Sequence, residues 1–99
     1  MLTSKQRAQL RKLANPLPTT LQIGKDGITQ GVIDQLSDQL ECHELVKVRV
    51  LENSFLTVRG AQEELCETLH AEPVQCIGTR LVVYRQASDK DKRRILLQK

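Results

Sequence analysis

The sequence predicts a single small α/β domain. A mixed four-stranded sheet carries about three helices, in the order helix, strand, helix, strand, helix, strand, strand. Three observations point there. Apolar residues recur at helical spacing in separate segments, as in Val32, Ile33, Leu36 and Leu40. Leu45 to Leu51 alternates, with Val46, Val48 and Val50 on one side and Leu45, Lys47, Arg49 and Leu51 on the other. Two β-rich runs then flank Gly78-Thr79, a two-residue connection that suits a type II′ hairpin. A chain of 99 residues has no room for a second domain. We divide it into a domain over 1–86 and a basic tail over 87–99.

The first helix runs from about Leu2 to Ala14. Thr3 or Ser4 caps it, and Thr3-x-x-Gln6 fits a capping box. Asn15-Pro16 stops it, because the residue before a proline avoids helical geometry. Leu10, Leu13 and Ala14 are placed to face a core, while Lys5, Arg7, Arg11 and Lys12 fall mostly elsewhere. Thr20 to Ile23 reads as a short strand, and Gly24-Lys25-Asp26-Gly27 as a tight loop. Thr29 caps a second helix to about Glu41, with Gly31 weakening its first turn. After the strand at Leu45 and a turn at Glu52-Asn53-Ser54, a third helix covers Thr57 to His70. Its buried stripe is Val58, Ala61, Leu65 and Leu69, and its outer face holds Glu63, Glu64 and Glu67. The strands Val74–Ile77 and Arg80–Arg85 follow. In the tail, Lys90, Lys92, Arg93 and Arg94 read as a mobile basic stretch and Ile95-Leu96-Leu97 as a docking one. Successive β-α-β units imply right-handed crossovers and parallel neighbours. So few helices leave one sheet face partly open.

No apolar run reaches the ~18–20 residues of a membrane span. The opening Met1-Leu2-Thr3-Ser4-Lys5 has no secretory pattern. Cys42, Cys66 and Cys76 are an odd number without CxxC spacing, which predicts a cytoplasmic chain with reduced thiols. Cys66 and His70 stand at i, i+4, with Cys42-His43 as the only obvious further metal ligands. Free cysteine is more commonly a small buried hydrophobe, so we assign no metal. The acids lie beside no convincing His or Ser partner, and neither a nucleophile elbow nor a paired-carboxylate site is present. We therefore assign no catalytic residue, no cofactor and no small-molecule substrate.

The charge is segregated. Residues 1–30 hold five Lys and Arg against one acid, residues 31–76 three against nine, and residues 77–99 seven against two. Basic ends that meet in space make one positive face, suited to a polyanion. Scattered solvated charge accounts for the same counts. With one Phe, one Tyr and no Trp, base stacking is poorly supplied, so nucleic acid would be held through phosphate, sugar and shape.

The most informative segment is Ile23-Gly24-Lys25-Asp26-Gly27-Ile28, between a strand and a helix. Two spaced glycines let the main chain approach a phosphate and present its amides beside a helix N-terminus. A plain turn of ordinary turn residues reads the same way. It is not a nucleotide-triphosphate loop, since GxxxxGK[ST] is absent. Lys47 and Arg49 form either a basic stripe on an open sheet or aliphatic stems covering the core edge. Arg80 and Arg85 extend the positive face or are ordinary solvated strand ends.

With Leu2-Thr3-Ser4-Lys5-Gln6-Arg7, Leu13-Ala14, the run Gln22 to Ile28, Glu44 to Val50, Val74 to Gly78 and Leu81 to Arg85, the chain resembles the CRM domain in its stand-alone bacterial, YhbY-like form. The resemblance covers roughly residues 2–86. It implies an RNA-binding α/β fold similar to the C-terminal domain of a bacterial translation initiation factor, with a KH-like GxxG loop. It also implies association with precursors of the large ribosomal subunit, and contact with RNA through Gly24, Lys25, Asp26 and Gly27, helped by the basic first helix. The expected activity is therefore non-catalytic binding of ribosomal RNA or its precursor, with Lys5, Arg7, Arg11 and Lys12 supplying attraction. The alternative is a protein-interaction module on ribosomal particles, using the acidic helices. Co-sedimentation before and after nuclease treatment separates the two.

Overall fold

The computed structural model describes residues 2–52, 54–88, 91 and 95. Its elements follow the predicted order: α1 Ser4–Ala14, β1 Leu21–Ile23, α2 Gln30–His43, β2 Leu45–Val50, α3 Val58–Leu69, β3 Glu72–Ile77 and β4 Arg80–Tyr84. Each helix begins where a threonine hydroxyl accepts an otherwise orphaned amide. Thr3 accepts from the Gln6 amide at 3.1 Å and the Gln6 side chain accepts from the Thr3 amide at 3.0 Å, the reciprocal box expected there. Thr29 and Thr57 accept from Val32 and Gly60. Thr29 thus sets the start of α2 despite Gly31. No helix among the described residues is long and apolar enough to cross a membrane.

The sheet order is β1-β2-β4-β3. β1 runs parallel to β2, and β4 lies antiparallel between β2 and β3. Parallel neighbours are therefore found for β1 and β2 but not for β2 and β3, which β4 separates. The reason lies in the last two strands. Leu81 to Tyr84 are all buried, so β4 needs cover on both faces and a partner on both edges. β3 carries Pro73, which lacks an amide donor, and its register shifts between Pro73 and Gln75, so it suits an edge. Gly78, at φ +60°, starts the connection, and Thr79 has no positive φ, as a type II′ turn requires.

Each face of the sheet has its own core. Val46, Val48 and Val50 join Leu21, Ile23, Leu81 and Val83 beneath Leu36 and Leu40 of α2 and Ala61, Leu65 and Leu69 of α3. On the other face, Leu45, Val74, Val82 and Tyr84 are covered by Leu2, Leu10 and Ala14 of the α1 segment. Fully burying Leu10 is worth ~1.5–3 kcal/mol. Leu13, expected in the core, is 41% exposed. Leu10 and Ala14 alone form the narrow buried stripe of α1. Leu13 falls to its side, where it lines an apolar cavity of about 340 Å³ with Leu17, Leu45 and Ile95.

Two buried polar residues escaped the sequence reading. Gln62 donates to the carbonyls of Gln75 (3.0 Å) and Val82 (2.9 Å) and accepts from Cys76 Sγ, beside the β3 register shift. Glu44, fully buried, accepts from the Ala87 amide at 2.8 Å and the Ile95 amide at 2.9 Å. Ile95 also packs on the α1 side of the sheet. Asn53 and the tail residues Lys90, Lys92, Arg93, Arg94, Leu96 and Leu97 lie outside the described residues.

Candidate nucleic-acid interface

The glycine turn follows Ile23, which sits opposite Val50, so it stands at the end of the sheet where β1 and β2 finish. The Gly27 amide donates to the Gly24 carbonyl at 3.0 Å and closes the bend. Gly27 takes φ +71°, a conformation that disfavours any side chain, and is buried. Lys25 and Asp26 at the tip are exposed. The expectation of a fully open set of amides therefore narrows: the Gly27 donor is used inside the turn. Among the described residues, the amides of Lys25 and Asp26 donate to no protein acceptor. Thr29 satisfies Val32 and Ile33, so the first amides of α2 point out of the same segment unpaired.

The open half of the sheet adjoins this turn. Gln22, Arg49 and Arg80 lie in register across β1, β2 and β4, and Ile77 of β3 pairs with Arg80. All four are exposed, because α1 covers only the other half. Directly opposed arginines repel each other, and among the described residues neither has an ion-pair partner. An anion placed between them relieves that repulsion. Lys47 is half-buried and lines the apolar cavity with Leu45, so its stem covers the core edge, whereas Arg49 is free in solvent.

The basic residues of α1 divide. Lys5 and Lys12 share its outer side with Ala8 and Gln9. Arg7 and Arg11 turn toward β3, where they line a groove of about 380 Å³ with Arg59, Glu63 and Gln75. Arg11 Nε donates to the Val74 carbonyl at 3.4 Å, and Arg7 Nε is buried with no hydrogen-bond partner among the described residues. Arg59, on the first turn of α3, was not singled out from sequence; only its place on the third helix marked it. At roughly 3.3 Å per residue, the steps from Leu45, beneath α1, to Val50, beside the turn, span about 17 Å. The eight residues expected to bind therefore do not form one pocket. They border a surface with the turn at one end, α1 at the other, and Arg49 and Arg80 between.

Arg85 does not extend that surface. Its guanidinium donates to the carbonyls of Leu69 (3.2 Å) and Ser37 (3.1 Å) and pairs with Glu41 at 3.4 Å, on the α2 and α3 side. Leu69 is the last residue of α3, so its carbonyl lacks an intrahelical donor, and Arg85 supplies one. Burial pushes the Cys66 thiol up to about 11, with Glu72 and Cys76 adding to it. Burial also raises Cys76, against the nearby Arg59. Among the described residues no group of three His, Cys, Asp or Glu side chains converges.

Comparison with known proteins agrees with this architecture. The chain is 36% identical over 89 residues to "Probable RNA-binding protein YqeI" of Bacillus subtilis, covering 90% of this chain and 93% of that one. It is 33% identical over 85 residues to "Probable RNA-binding protein PA4753" of Pseudomonas aeruginosa, covering 86% of this chain and 82% of that one. It is 33% identical over 88 residues to an "RNA-binding protein" of Haemophilus influenzae, covering 89% of each. The solution structure of SAV1595 from Staphylococcus aureus superposes with a TM-score of 0.69 at 41% identity, covering 97% of this chain and 100% of that one. The family model described as CRS1 / YhbY (CRM) domain matches residues 2–85, and with that match, the fold and these relatives, the chain belongs to the CRS1/YhbY (CRM) domain family.

Proposed function

We propose that this protein binds RNA, specifically ribosomal RNA or its precursor, and assists assembly of the large ribosomal subunit without catalysing a reaction. The observation that carries the reading is the exposed row Gln22, Arg49 and Arg80, which adjoins a turn with open main-chain donors. The names of the relatives support RNA as the partner. The ribosomal part rests on the family resemblance. In this reading the amides of Lys25 and Asp26 hold a phosphate, and Lys25 adds charge beside it. Arg49 and Arg80 hold neighbouring phosphates across the open sheet, and Lys5, Arg7, Arg11 and Lys12 draw the polyanion toward this side. The reading places the protein in the cytoplasm, in keeping with three free thiols.

The test replaces Lys25 and Asp26 together by glutamates. Both side chains are exposed, so the fold stands. RNA affinity falls, and each lost phosphate contact flattens the salt dependence by about 0.7–0.9 log units per log salt. Unchanged affinity and slope would remove the turn from the mechanism. Crosslinking in cells and sequencing of the attached RNA tests the ribosomal part: reads concentrate on precursor large-subunit RNA, and reads spread over messengers would refute it.

A further inference from the structure

With one phenylalanine and no tryptophan, the composition argues against a base-stacking surface. The fold puts that phenylalanine where it matters. Phe55, between β2 and α3, is 80% exposed. The end of its ring lies over the glycine turn: a Cβ built on Gly27 would sit 3.6 Å from Phe55 Cζ and 3.9 Å from Cε1. The loop that presents it is tied down. The Ser54 amide donates to the Leu51 carbonyl at 3.0 Å, the Leu56 amide donates to Ser54 Oγ at 3.3 Å, and Leu56 packs against the core. Phe55 is therefore held outward, against water, beside the open amides of Lys25 and Asp26.

An exposed aromatic ring next to a phosphate-binding turn has the two parts a nucleotide needs, one for the anion and one for the base. We propose, on the RNA-binding reading above, that Phe55 is a stacking platform for an unpaired base whose phosphate sits on the glycine turn, so that this site takes single-stranded RNA. Paired bases are already stacked inside a duplex and do not reach the ring. The Lys25 cation and the unpaired amides select this occupant over an apolar peptide, which brings no anion to the turn.

The experiment uses the full chain with ten-nucleotide oligo(rA), the same oligomer with abasic positions, and a ten-pair RNA duplex. Phe55→Ala weakens oligo(rA) binding by roughly 5- to 100-fold, the scale of one lost stacking contact, and leaves the salt slope unchanged. It leaves abasic and duplex binding within about twofold of wild type. Phe55→Trp restores oligo(rA) affinity and places the chain's only tryptophan at the site; its emission is quenched by oligo(rA) and not by the abasic oligomer. Oligo(rA) affinity of Phe55→Ala within twofold of wild type, equal quenching by both oligomers, or a dimer that Phe55→Ala dissociates would each overturn the stacking role. Wild-type protein that binds none of the three RNAs would refute the RNA reading as well, so the two failures are told apart.

Discussion

Glu44 holds Ala87 and Ile95 to the domain, and its removal tests how much of the fold depends on that link. Its carboxylate accepts from two amides far along the sequence, Ala87 at 2.8 Å and Ile95 at 2.9 Å. Its own carbonyl accepts from Arg85 at 2.9 Å. Glu44→Ala keeps the carbonyl bond and strands both amides, the Ala87 one in a buried setting. Each hydrogen bond to a charged group is worth ~1.5–3 kcal/mol. Removing a buried carboxylate recovers part of its desolvation, so the low end of the sum applies and the net loss is about 3 kcal/mol. For a domain of this size that lowers the melting temperature by about 12 °C or more. Glu44→Gln keeps one acceptor but turns an NH₂ group toward an amide donor, so it falls between the two. The assay is thermal melting by circular dichroism, with hydrogen exchange at the Ala87 amide as the local readout. A melting point for Glu44→Ala within about 2 °C of wild type, with Ala87 still protected, would show that the carboxylate does not hold the tail.

The arginines separate by role. Arg49→Ala and Arg80→Ala leave the melting temperature within about 1 °C, since both side chains are exposed, yet each flattens the salt dependence of single-strand binding by about 0.7. Arg85→Ala does the reverse: it strands the Leu69 carbonyl, removes the contacts to Ser37 and Glu41, and costs about 2 kcal/mol of stability, with the salt slope unchanged. Parallel melts and salt titrations check both, and the opposite pattern in either variant would refute the assignment. The thiols respond to pH in a stated order. Burial raises the Cys66 pKa to about 11, so thiolate is scarce there below that pH. At pH 8 iodoacetamide labels exposed Cys42 first and Cys66 last, and Cys66 labelling climbs with pH until about 11. Mass spectrometry reads the order, and denaturant abolishes it.

Much of the candidate surface was legible because its signals are local. The GxxG segment shows as two glycines between a strand pattern and a threonine cap, and the structure puts it there. The open sheet half followed from too few helices for two faces. Arg59 was missed because nothing near it in sequence sets it apart; Arg7 and Arg11 reach its groove only through packing across β3. Phe55 was discounted by counting aromatics, a measure blind to position.

Taken alone, the sequence determined the seven elements, the caps of the first two helices and the alternation of β2, because hydrogen-bonded turns and side-chain alternation depend on residues a few positions apart. The insertion of β4 between β2 and β3 was decided only by the tertiary structure, where a strand buried on both sides takes the centre and one with a proline takes the edge. Tertiary structure also divided chemically identical residues. Arg85 is spent on helix carbonyls while Arg49 and Arg80 face water, and Glu44 lies inside while Glu63 lies outside. Those outcomes depend on groups brought together from tens of residues away, such as Glu44 and Ala87, and no short stretch of chain encodes them.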